Sequence, residues 1–124
     1  MTCYFRKTLT AITFAAATLL PLQALAHAHL TSASPAANAV IHASPQDITL
    51  TFSEGLEASF SHATLTDAQG TRVKTGSVAL RPGSKNVLQI PLINALAKGQ
   101  YQVNWRVLSV DGHKTKGVYT FTVD

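Results

Sequence analysis

The sequence predicts an all-β domain, an antiparallel sandwich of about seven short strands. Three observations carry that expectation. Apolar and polar residues alternate with a period of two in segment after segment. Turn residues punctuate those segments. Beyond residue 26 no stretch has a convincing 3.6-residue helical period.

Ahead of the strands stands an address. Residues 1–26 read MTCYFRKTLTAITFAAATLLPLQALA: Arg6 and Lys7 are basic, and Leu9 to Leu20 form an apolar run of twelve residues. Pro21 then breaks the helix, and Ala24-Leu25-Ala26 supplies the small residues a signal peptidase reads, which is the secretory pattern. A membrane span takes about 20 apolar residues, so a cleaved signal peptide is expected and the product is not membrane-embedded. Cys3 precedes the apolar run, the wrong place for lipid attachment. Cleavage is expected after Ala26; Ala26 and Ala28 also satisfy the small-residue rule, and that alternative would leave His29 first.

The expected mature domain, residues 27–124, has 98 residues with eight Lys+Arg against six Asp+Glu, a formal charge of +2. This is no nucleic-acid footprint. It contains neither Cys nor Met, since Cys3 and Met1 are the sole sulfur residues. Disulfide scaffolds, Cys-ligated zinc, iron–sulfur clusters and Met-lined metal pockets are thereby excluded. One domain of this length also excludes a multi-domain enzyme.

The strands follow in order. Leu30–Ala33 opens the domain. Ile48, Leu50 and Phe52 alternate with Thr49, Thr51 and Ser53. Weaker strands fit His62–Thr66 and Thr71–Thr75, and Val87-Leu88 leads into Ile90 before Pro91. Tyr101, Val103, Trp105 and Val107 alternate with Gln102, Asn104 and Arg106; Tyr119, Phe121 and Val123 alternate with Thr120 and Thr122. Turn signals separate them at Ser34-Pro35, Ser44-Pro45, Asp67-Ala68-Gln69-Gly70, Arg81-Pro82-Gly83, Lys98-Gly99 and Asp111-Gly112. Only Ile93–Ala97 could form a helical turn. Strands of this number and spacing without βα alternation indicate an immunoglobulin-like sandwich. Trp105 is the expected centre of its core, and packing alone must hold the two sheets.

All five histidines lie in residues 27–124. His42, beside Ser44-Pro45, and His62, at the start of a weak strand, have no second ligand type nearby and read as solvated surface residues. His27 differs. Once cleaved, it carries an α-amino group whose ordinary pKa is about 7.7–8.0. That amine and the imidazole Nδ1 can close a six-membered chelate on one ion, and a second imidazole opposite completes a T-shaped plane of three nitrogens. Such a histidine brace suits Cu(II). The alternative is a frayed terminal residue. Asp111-Gly112-His113 is open to two readings as well, a hairpin turn with an incidental His or two ligands reaching one ion at the sandwich mouth. His29 allows a rival site, in which the amine, two main-chain amides and the third-residue imidazole form a square-planar chelate. That chelate needs a flexible terminus, and the strand expected from Leu30 tethers it.

Taken together these residues resemble the CopC family of periplasmic copper-binding proteins. The resemblance covers essentially all of 27–124. Its most specific block runs from Tyr101 through Trp105, Ser109, Asp111 and His113, followed by Gly117 to Val123; His27-Ala28-His29-Leu30, Ser34-Pro35-Ala36 and Phe52-Ser53-Glu54 support it. The resemblance implies a Greek-key sandwich holding one Cu(II) through His27 (amine and imidazole), Asp111 and His113, with His29 a possible outer or axial contributor. Some members carry a second, Cu(I) site in a Met-rich loop. Here the corresponding stretch, roughly 64–78, has no Met, so soft Cu(I) lacks its ligands and the chain resembles the Cu(II)-only type.

Three function classes follow. The first is a periplasmic Cu(II) carrier or buffer in copper homeostasis or resistance, not an enzyme, delivering its ion to a CopD-like inner-membrane partner that the resemblance implies. The second is a copper-dependent oxidative enzyme of the lytic polysaccharide monooxygenase kind. Against it, 98 residues leave little flat face for a glycan, and Asp111 as a ligand would occupy oxygen's position. The third is a metal-independent immunoglobulin-like interaction module.

Overall fold

The computed structural model describes residues 28–124; residues 1–27, comprising the expected signal peptide and His27, lie outside the described residues. Among the described residues nine strands form: β1 Leu30–Ser34, β2 Val40–Ile41, β3 Asp47–Phe52, β4 His62–Thr66, β5 Arg72–Val73, β6 Ala79–Leu80, β7 Val87–Pro91, β8 Gly99–Leu108 and β9 Lys114–Val123. They build two facing sheets, β1-β3-β7-β6 and β2-β9-β8-β4-β5. Pairing is antiparallel throughout except where β2 runs parallel to the end of β9. The chain is therefore an all-β sandwich. None of its described segments is a helix long and apolar enough to cross a membrane.

Period-two patterning explains which faces meet. Ile48, Leu50 and Phe52 project from β3 into the interior, as do Leu65 from β4, Val103 and Val107 from β8, and Phe121 from β9, each almost wholly buried. Neighbouring outward positions are mostly polar, so each sheet has one dry and one wet face. The rings of Tyr101 and Phe121 stack with centroids 5.7 Å apart, and the Tyr101 hydroxyl donates to the Ala97 carbonyl at 2.7 Å.

Strands form at all seven expected places, the one expected at Thr71–Thr75 shortened to Arg72–Val73. The two additional ones, β2 and β6, are two residues long, too short for any periodicity to register. The helical turn expected at Ile93–Ala97 does not form. Leu96 N–H donates to the Ser44 hydroxyl, so a tertiary partner takes a donor that a helical turn would use. A 3₁₀ turn, Ala58–Phe60, forms instead between β3 and β4.

Trp105 is not the centre of the core. It is partly buried, at the rim, and meets Phe52 edge-on with centroids 5.1 Å apart. Its indole lies across Gly117, the residue opposite it on β9. A Cβ on Gly117 would stand 2.3 Å from the indole; only glycine leaves room for that ring.

Candidate metal centre

The long strands β8 and β9 pair over ten positions from Gly99↔Val123 to Leu108↔Lys114. Their connection, residues 109–113, is a tight turn. Ser109 N–H donates to the His113 carbonyl and Gly112 N–H to the Ser109 carbonyl, both at 2.9 Å. Gly112 adopts φ +91°, which glycine takes without steric cost. From outside, Val110 N–H donates to the Gly55 carbonyl and Glu57 N–H to the Leu108 carbonyl. The turn is thus braced by the 55–57 segment as well as by its own bonds.

Two of the three predicted ligands meet here. His113 Nδ1 lies 3.1 Å from Asp111 Oδ1, and the side chains are 45% and 37% exposed, open enough for an ion to reach both. Beneath them Ser109 is fully buried. Its hydroxyl contacts Asp111 Oδ1 and accepts from His113 N–H at 3.3 Å. The Ser109 hydroxyl, first, and the His113 imidazole hold the Asp111 carboxyl below its ordinary value of 3.8, against the opposing effect of burial. The carboxylate form is favoured, which a cation requires.

Ser109 is not singled out by spacing alone. It does continue the inward positions 103, 105 and 107 of β8, and a hydroxyl at an inward position demands a polar partner. That partner is Asp111.

The third predicted ligand, His27, lies outside the described residues, but the residue after it is firmly placed. Ala28 is 1% exposed, and its carbonyl accepts from Thr115 Oγ1 at 2.9 Å. Thr115 is two residues past His113. His29 N–H donates to Ser53 Oγ at 2.9 Å and its carbonyl accepts from Ser53 N–H at 2.8 Å. The chain therefore enters β1 already tied to the start of β9 and to the end of β3.

The remaining histidines go elsewhere. His42 stands 3.8 Å from Asp124, at the end of β9 opposite the turn, and both are largely exposed. His62 begins β4 on the outer face of the five-stranded sheet. Among the described residues no group of three or more potential ligands comes together.

A family model, the CopC domain, matches residues 30–124. The chain belongs to the CopC family. Among its relatives, Protein YobA of Escherichia coli strain K12 is 51% identical over 98 residues, 79% of each chain. The crystal structure of CopC from Methylosinus trichosporium OB3b superposes with a TM-score of 0.74 at 38% identity, over 79% of this chain and 94% of that one. PcoC, a methionine-rich copper resistance protein from Escherichia coli, gives a TM-score of 0.71 at 36% identity, over 79% and 99%. This CopC-family chain departs from the methionine-rich kind, because its one Met is Met1.

Proposed function

We propose that this protein is a periplasmic Cu(II) carrier or buffer that binds one ion per chain through His27, Asp111 and His113. In this account export and cleavage after Ala26 expose the His27 amine. Amine and imidazole chelate one side of the ion, and the His113 imidazole takes the opposite side. Asp111 supplies a hard, anionic oxygen that offsets one unit of cupric charge. The set is nitrogen-rich and lacks sulfur, which matches the tetragonal preference of Cu(II) over Cu(I).

One observation supports the reading above all. The Ala28 carbonyl is tied to Thr115, two residues beyond His113, and a residue peptide-bonded to Ala28 has its Cα about 3.8 Å away. That tie supports the reading that a chain starting at His27 brings its amine within reach of Asp111 and His113. The hydrogen bond from His29 N–H to Ser53 weighs against the rival square-planar chelate, which must strip that amide of its proton.

The family supports copper handling as the purpose of such a site, and a membrane transporter of the CopD kind is the proposed recipient. Binding rather than catalysis is favoured by Asp111, whose carboxylate would stand where an oxidative enzyme keeps a coordination position open.

The experiment is intact mass spectrometry, under native conditions, of the protein recovered from the periplasm with and without copper. The expected species begins at His27 and gains one copper, retained against a moderate chelator. A different first residue, or loss of the metal to that chelator, would overturn the proposal.

A further inference from the structure

The outer face of the five-stranded sheet carries charge of one sign. Its strands contain Arg72, Arg106, Lys114 and Lys116 and no Asp or Glu. All four cations are exposed, and none pairs with a carboxylate among the described residues. The register sets His62 opposite Arg106 and Arg106 opposite Lys116. Arg106 and Lys116 thus stand abreast on strands about 4.8 Å apart. Like charges so placed destabilise a sheet, and an anion laid along the row relieves them.

The pleat provides a place for it. The neighbouring outward row is Thr64, Asn104 and Val118, with Val118 54% exposed. Between the two rows Ala63 and Trp105 send their side chains inward and Gly117 has none, so nothing fills the valley from below. An open groove of about 520 Å³ results. It crosses three strands, with one wall cationic and the other neutral to apolar.

We infer that this groove is a docking site for an extended acidic segment of a partner protein. Carboxylates of the segment meet Arg106 and Lys116, and an apolar side chain covers Val118. A concave valley suits a polypeptide better than a flat bilayer. A formal charge of only +2 on residues 27–124 gives no general attraction for membranes or nucleic acid. Position adds a consequence. β8 and β9 lead from the groove into the Ser109–His113 turn, and Lys116 is three residues from His113, roughly 10 Å along the strand. A docked segment therefore lies beside the candidate metal centre. That this contact serves copper handover rests on the proposed function; the docking itself does not.

The test uses the copper-free, ¹⁵N-labelled protein in the form its cell produces, titrated with the peptide acetyl-Glu-Val-Glu-Val-Glu-amide. Expected are saturable amide shifts centred on 62–64, 104–106 and 116–118 that weaken with salt. Replacing both cations, Arg106→Gln with Lys116→Gln, should weaken binding about tenfold, the worth of two exposed charge pairs. His113→Ala should leave it unchanged, whether or not the protein retains Cu(II), so failure of the copper site and failure of the docking site read out separately. The inference is overturned if the shifts are absent or fall elsewhere. Equal shifts from the same concentration of inorganic phosphate would overturn it too, marking a simple anion site. So would sedimentation with phosphatidylglycerol vesicles that saturating peptide does not reverse.

Discussion

Thr115 and Ala28 are 87 positions apart in sequence, and the Thr115 hydroxyl donates to the Ala28 carbonyl at 2.9 Å. That bond joins the start of the domain to the strand that leaves the candidate metal centre. Because Ala28 is buried, water cannot replace a lost partner at its carbonyl.

Thr115→Val keeps the side-chain shape and removes the donor. An unpaired buried carbonyl costs about 1–3 kcal/mol, so chemical denaturation should register a loss in that range. On the proposed function Cu(II) affinity should fall as well, by about three- to tenfold, because the amine is no longer held beside His113. Chelator competition measures this, and an unchanged affinity would separate the tether from the site.

Ser109 fixes the charge state of Asp111. Since the folded carboxyl lies below 3.8, the folded form binds its proton less tightly than the unfolded chain. The stability so gained is complete above pH 3.8 and is lost as pH falls through the lower folded value. NMR titration of the metal-free protein should give an Asp111 midpoint below 3.8, and Ser109→Ala should move it upward. Equal midpoints in the two proteins would contradict the role given to the hydroxyl.

Gly117 exists for Trp105. A Cβ 2.3 Å from the indole has to displace a large, partly buried ring, and overpacking of this kind costs about 1–3 kcal/mol. Gly117→Ala should destabilise the protein by that amount with or without copper. In a Trp105→Ala background the same change should cost much less, since the obstacle is gone and neighbouring effects do not add. Denaturation midpoints of the four proteins complete the cycle; additive effects would refute the contact.

Tyr119 offers the opposite case. Its hydroxyl is buried with no hydrogen-bond partner among the described residues, and burial pushes its pKa up to about 12. Tyr119→Phe removes an unsatisfied polar group without opening a cavity, so it should be neutral or stabilising by about 1 kcal/mol. A clear loss of stability would reveal a partner for that oxygen.

The strands were legible because each long one carries its own pattern. Alternation at 48–52, 101–107 and 119–123 marks the inward faces without reference to any neighbour, and all of those inward residues but Trp105 are buried. What stayed hidden depends on residues distant in sequence. Val40-Ile41 becomes a strand only through pairing with the end of β9, and within Ile93–Ala97 the Leu96 N–H is taken by a partner at Ser44. Trp105 reads as the core's centre from its size; Gly117, twelve residues on, sets it at the rim. Within the candidate site, the spacing of Asp111 and His113 allows two readings, and it is the resemblance to the CopC family that implies they act together. Ser109 and Thr115 emerge only from the fold, because a serine or threonine in a strand pattern carries no signal of what it will touch.

The most direct test of the central claim compares Cu(II) affinity for two proteins that differ by one residue: the chain beginning at His27, and the same chain with Ala26 retained before it. The extra residue moves the free amine off the imidazole's chelate ring while leaving the sandwich, Asp111 and His113 intact. The account predicts that the longer protein binds Cu(II) at least about a hundredfold more weakly, equivalent to ~2.7 kcal/mol for the lost ligand. Equal affinity in the two proteins would contradict it.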